Sequence, residues 1–345
     1  MIGIPCACSD PRVDCRVDSL KAQTWDRPNT LQRPSLTAMT SSGSEPSSET
    51  QRAQGLDPLV LERCRDLVGL LFPWDMNRAL ELALLKTFCL PSISGLLHQT
   101  GEFEQRPRKR YDDTALIVAE LVRLGPDTPQ GQAVIQRLNR IHGTYAIGQE
   151  EYAYVLSGFV AEPIRWIERY GWRALQPLEQ EALFQFWDHV GSLMNIEQRP
   201  SSLQDLMELN QRANHQLFAS AASNHHVAEA TVMMLLAPWP APLHPWLRSI
   251  VCSLLEPETL SSLNWPKAPT WQVKAVRVAL HCRSFLLGAI RRFWTPQRRR
   301  FFSQRPTPSY GAQFRLEQLG PPSLLQRLNN ASRRDDDDNK GVGNP

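Results

Sequence analysis

The sequence has little from which a β-sheet could be built. No segment sustains period-two alternation of apolar and polar residues, and no run closes in a hairpin turn signal. No repeat of fixed period occurs. Phosphate-cradling glycine patterns are missing as well. There is no Gly-x-Gly-x-x-Gly after a strand and no P-loop, which excludes the common nucleotide-dependent chemistries. A strong basic excess is lacking, with 38 Lys and Arg against 35 Asp and Glu, so no nucleic-acid partner is expected. The seven cysteines are an odd number, and Cys6, Cys8 and Cys15 fall in an N-terminal tail. No disulfide framework is read from them, which favours a reducing compartment. Cys6 and Cys8 have no second pair at zinc spacing and read as free thiols.

No secretory signal is recognised, because Met1 to Ala7 is short and charges follow at Asp10 and Arg12. One stretch, Ala230 to Leu247, lacks charge over about the length of a membrane span. Pro238, Pro240, Pro242 and Pro245 interrupt it, so no transmembrane helix is expected.

What remains is helical periodicity. Residues 1–54 read as a disordered tail, with Ser, Thr, Pro and Gly crowded between Ser35 and Ser48. Asp57-Pro58 starts a helix with the stripe Val60, Cys64, Leu67, Val68 and Leu71. Asp75 is expected to cap a second helix carrying Leu80, Ala83, Leu84 and Phe88. A third runs from Arg110 to Leu124 and ends at Gly125-Pro126. Thr128-Pro129 opens a fourth, whose inward face is Val134, Ile135, Leu138, Ile141 and Tyr145. Glu150 to Tyr170 is bulky on most sides and is expected to be central, with a kink at Pro163. Further patterns cover Pro177 to Ile196, Leu203 to Phe218, Val227 to Leu236 and Trp271 to Trp294. The expected fold is all-α: one helical bundle over residues 55–320, with a second disordered tail over residues 321–345.

The metal motifs of other helical enzymes are absent. There is no His-Glu-x-x-His, and no histidine has a Glu three residues before it, so a helical di-iron site is excluded. Without Cys-x-x-Cys-His, haem would not be attached covalently. Neither Cys252 nor Cys282 lies in a Gly-rich loop suited to a haem thiolate. Among eight histidines, His142 is singled out by position, four residues after Leu138 and seven after Ile135 on the same inward face. An imidazole buried there needs a partner, either a metal or a hydrogen bond. On the preceding helix, Arg110 and Thr114 are four apart and share a face with Val118 and Leu121. That guanidinium is either a donor aimed at a cofactor or dioxygen, or one half of an internal ion pair with Asp113 or Glu102.

These residues belong to an ordered set. Thr100-Gly101-Glu102-Phe103 is followed by Lys109-Arg110-Tyr111-Asp112-Asp113-Thr114 and by Asn139-Arg140-Ile141-His142-Gly143-x-Tyr145. Tyr154-Val155-Leu156-Ser157-x-Phe159, Glu162-Pro163-x-Arg165-Trp166 and Tyr170-Gly171-Trp172-Arg173 come next. The set resembles the MpaB/rubber-oxygenase family over about residues 80 to 320.

The resemblance implies an all-α bundle around a b-type haem, with His142 as the axial iron ligand and Arg110 and Thr114 on the distal side. It implies an oxygenase that uses dioxygen on a small hydrophobic substrate, an isoprenoid or another alkene or aromatic, in secondary metabolism. Its electron donor would be external, since no reductase domain is visible. Rubber-cleaving members have a lysine immediately before that threonine, where this chain has Asp113. A carboxylate is no neutral nitrogen ligand, so the distal ligand is expected to differ. Glu102 is the candidate counterpart of their catalytic glutamate.

ER-bound members carry an N-terminal membrane helix, whereas this N-terminal stretch is polar. The expected location is therefore cytoplasmic or peripheral to the ER membrane. The run from Arg291 to Phe302, where Arg298, Arg299 and Arg300 adjoin Phe301 and Phe302, is either a solvated end or a peripheral membrane contact. Two other classes stay open: a cofactor-free helical scaffold or degenerate family member, and a haem sensor or carrier.

Overall fold

The computed structural model describes residues 55–322 except Thr295, together with Leu325. The expected N-terminal tail, and all but a few residues of the expected C-terminal one, lie outside the described residues. The described residues contain helices and turns but no strand, apart from one isolated bridge between Thr307 and Gly311.

Helix α1 (Pro58–Asp66) begins where its cap predicts, with the Asp57 carboxylate accepting from the Leu59 N–H at 2.8 Å. It runs into a π-helical turn (Leu67–Leu71), and its stripe buries Val60, Cys64 and Leu67. In α2 (Pro73–Thr87) the cap expectation fails. Pro73 occupies the first helical position, so the helix starts earlier and Asp75 falls inside its first turn. Asp75 is buried, accepting from Trp166 Nε1 at 3.1 Å and pairing with Arg283 at 2.9 Å.

Four helices lie outside the patterns read from the sequence; the first two are α3 (Pro91–Thr100) and α4 (Glu102–Gln105), joined at Gly101 with φ of 68°. Helix α5 (Pro107–Leu124) ends at Gly125, and α6 (Pro129–His142) starts at Thr128, whose hydroxyl accepts from the Gly131 N–H at 3.0 Å. Here the chain turns so tightly that a Cβ on Gly131 would lie 1.9 Å from the Gly125 carbonyl oxygen.

Helix α7 (Gln149–Tyr170) is central, as its bulk on all sides predicts. It packs against α2, α8 (Pro177–Leu193), α9 (Leu203–Gln216) and α13 (Thr270–Phe293). Between them lie α10 (Ala222–Leu236), α11 (His244–Leu254) and α12 (Pro257–Ser262). The prolines that break the charge-free stretch also start a helix, for Pro245 sits in the first turn of α11. Lys86 of α2 is buried between Glu162 at 2.9 Å and Glu256 at 3.0 Å. Glu162 also accepts from Arg165, and Arg165 from there reaches Asn210 on α9.

The chain after α13 is not a solvated end. The Arg300 N–H donates to the Gly69 carbonyl at 2.8 Å, and Phe301 is buried against Gly69. Arg299 is held by Asp66 and Glu62 at 2.7 Å each. An aromatic in the core and a guanidinium already paired take the centre of this run away from membrane contact. Further on, residues 307–320 lie over α5 and α6. Ser309 donates to Asp112, Tyr310 to Asp113, and Arg137 to the Leu319 carbonyl at 2.9 Å.

Candidate active site

Helices α2, α5 and α6 and the start of α7 surround a cavity of about 490 Å³, within the range of small-molecule and cofactor sites. Its walls are largely apolar, with Leu80, Leu84, Val118, Leu138, Val155 and Phe159 among them. Chain after α13 completes the wall with Arg300, Phe302, Arg305, Gly320 and Pro321.

His142, Arg110 and Thr114 all line this one cavity. The i, i+4 spacing brings Arg110 and Thr114 together as read, with Arg110 Nη1 donating to Thr114 Oγ1 at 3.0 Å. The Thr114 hydroxyl in turn donates to the Arg110 carbonyl at 3.1 Å. The guanidinium also lies over the Phe103 ring, 5.3 Å from its centroid. It forms no ion pair among the described residues. Both carboxylates expected to balance it are engaged elsewhere, Glu102 by Arg106 at 2.6 Å and Asp113 by Lys109 at 2.9 Å. Burial lowers the Arg110 pKa, although Asp113, Tyr145 and Glu102 nearby favour the charge.

His142 is the last residue of α6. Its Nδ1 is buried without a hydrogen-bond partner. A backbone carbonyl or carboxylate holding the second ring nitrogen, as metal-bound histidines usually have, is not found on Nδ1. Burial first, and the Arg110 charge second, push its pKa down to about 4, so the ring is neutral at pH 7. A neutral imidazole with an unshared buried nitrogen is what a metal ligand requires. It is also the only histidine on the cavity wall among the described residues.

Sequence reasoning missed Glu81. Its carboxylate lines the cavity, accepts from Tyr111 Oη at 2.9 Å and pairs with Arg78 at 2.5 Å. Burial raises its pKa against those partners, which suits a group that takes up and releases a proton. Nothing in the one-dimensional pattern marks it, since Glu81 and Tyr111 are 30 residues apart. Asp113 stands where rubber-cleaving members carry a lysine. Its oxygens accept from Lys109, from Tyr310 and from the Gly320 N–H at 3.2 Å. It is an anchor for the chain after α13.

Residues 76–285 match the family described as "ER-bound oxygenase mpaB/B'/Rubber oxygenase, catalytic domain". The chain belongs to this family. It is 28% identical over 199 residues to the ER-bound oxygenase mpaB' of Penicillium brevicompactum, covering 52% of this chain and 47% of that protein. It is 32% identical over 138 residues to mpaB of the same organism, covering 38% and 35%. With mpaB of Penicillium roqueforti (strain FM164) it shares 28% over 199 residues, 52% of this chain and 67% of the relative. The chain thus spans about half or less of the two P. brevicompactum relatives. Family membership agrees with the all-α fold and with the order of motifs along α4 to α7.

Proposed function

We propose that the protein is a haem b-dependent oxygenase acting with dioxygen on a small hydrophobic substrate, an isoprenoid or another alkene or aromatic, within secondary metabolism. The observation that carries this reading is the neutral imidazole of His142, its Nδ1 without a hydrogen-bond partner among the described residues, on the wall of an apolar cavity that also holds Arg110. A cofactor-free scaffold gives no reason for so large an apolar cavity, since interiors close-pack and voids destabilise.

The residues fit haem better than a bare ion. Among the described residues no three His, Cys, Asp or Glu side chains cluster to hold a metal. Haem supplies four nitrogens of its own and asks the protein for one or two ligands. His142 would be the residue that holds it. Bound there, haem supplies the activation of dioxygen.

The chain's own residues do the rest. Arg110 presents a positive charge, kept in place by Thr114 and Phe103, to negative charge developing in the cavity. The apolar wall takes up the substrate and excludes water. Glu81, its pKa raised by burial against its ties to Tyr111 and Arg78, is a carboxyl group on the cavity wall suited to proton transfer.

The relatives' description as ER-bound supports association with that membrane. No single helix among the described residues is long and apolar enough to cross one, although α2 and α3 together form a bent pair of sufficient length and composition.

Haem titration of the purified chain tests the proposal. A Soret band that saturates at one haem per chain is expected, along with loss of the axial ligation spectrum in His142→Ala and slower substrate-dependent dioxygen consumption in Arg110→Leu. An unchanged spectrum in His142→Ala removes His142 from the role.

A further inference from the structure

Helix α13 is turned inside out. Its inner side ties to the body through polar or small residues. Gln272 accepts from Ser249 at 2.6 Å, Arg283 pairs with Asp75, Ser284 donates to the Gly171 carbonyl, and Arg291 donates to the Leu70 carbonyl at 2.9 Å. Of its large apolar side chains, Leu280 packs against the core, but most point outward. Trp271, Val278, Phe285 and Phe293 recur at steps of seven and eight residues, one stripe on a helix. They are 66%, 60%, 76% and 88% exposed, and Leu286 and Ile290 flank them, more than half exposed. An apolar stripe of this length, about 36 Å over 24 residues, marks a docking surface. Two more tryptophans extend it. Trp239 and Trp246 are both 55% exposed, and Ser249, one turn beyond Trp246, bonds the residue next to Trp271.

Charge selects the partner. Residues 259–316 contain eleven Lys and Arg and not one Asp or Glu. Several are used inside the fold, but Lys274, Arg277 and Arg292 on α13 are exposed and have no ion-pair partner among the described residues. A second copy of the chain would set like charge against like charge. A bilayer bearing anionic lipid meets both requirements. It accepts an in-plane helix with an apolar face, tryptophans at the headgroup level and a basic border.

We propose that α13, together with Trp239 and Trp246, is a monotopic membrane-docking surface selective for anionic lipid. The inference gives the membrane part of the functional reading a location and does not depend on the haem chemistry. The helix also adjoins the cavity, because Arg283 on its inner side sits 3.8 Å over the ring of Trp74, which lines it. A hydrophobic substrate dissolved in the bilayer would then reach the site without crossing water.

The test is flotation of the full chain with vesicles of phosphatidylcholine alone or mixed with phosphatidylserine. The chain is expected to float with the mixed vesicles and to be released by salt. Phe285→Glu with Phe293→Glu, and separately Lys274→Glu with Arg277→Glu, should each lower partitioning by at least about tenfold. All four sites are solvent-exposed, so the helical circular dichroism and haem uptake should not change. Undiminished flotation of both double variants overturns this surface while leaving membrane association standing. Failure of the wild-type chain to float with either vesicle overturns both. Failure to float, joined to a dimer in sedimentation velocity that Phe285→Glu dissociates, gives the stripe to a second copy instead.

Discussion

Asp113→Ala should loosen the chain after α13 without melting the bundle. The buried Asp113 carboxylate accepts from Lys109, from the Tyr310 hydroxyl and from the Gly320 N–H, and so ties both ends of residues 310–320 to α5. Removing one member of a buried ion pair costs about 3–5 kcal/mol. Lys109 keeps two other acceptors, Tyr310 Oη and the Gly320 carbonyl, each at 2.8 Å, so the lower end applies, about 3 kcal/mol. If the opening is local, that corresponds to roughly a hundredfold loss of amide protection in this segment. Hydrogen exchange read by mass spectrometry separates the outcomes. Peptides covering 307–320 should exchange faster while those from α7 stay protected. Tyr310→Phe, which removes one of the bonds, should show a fraction of the effect, about 1 kcal/mol. Unchanged exchange over 307–320 in Asp113→Ala would refute the assignment of this carboxylate as the anchor.

Other expectations follow from the same geometry. The His142 pKa is depressed from 6.5 to about 4, so the unfolded chain binds a proton that the folded apoprotein refuses between those values. Stability is full above about pH 6.5 and falls with acidification toward pH 4; by about pH 5 the loss is about 2 kcal/mol, and urea unfolding of His142→Leu should lack it. Gly131→Ala places a methyl group against the Gly125 carbonyl and should destabilise by about 3 kcal/mol or more, read as a lowered urea midpoint. Lys86→Met leaves Glu256 without its cation and Glu162 with Arg165 alone; a loss of about 3 kcal/mol is expected, partly restored by adding Glu162→Gln.

Much of the bundle is written locally. Asp57-Pro58 and Thr128-Pro129 each combine a capping oxygen with a pre-set φ, and both start helices where read. Asp75 misled because Pro73, two residues earlier, had already fixed the start of α2. The prolines around α11 read as breakers, although a proline in the first turn costs nothing there. At the site, helical spacing placed Arg110, Thr114 and His142 on inward faces, and one cavity joins them. The Glu81–Tyr111 pair and the commitment of Asp113 to Tyr310 depend on contacts 30 and 197 residues apart, and periodicity carries no such information. The outward direction of the α13 stripe is likewise not legible in the sequence. Periodicity tells that a helix has an apolar face, and only packing tells which way it looks.

The wall formed by Phe302, Arg305 and Gly320 has a bearing on biosynthesis. These residues leave the ribosome after every helix that lines the rest of the chamber. Until they arrive, the chamber lacks that part of its wall. The chamber therefore closes only once these late residues have joined the helices made before them, and a chain cut short after α13 would fold its helices around an open one.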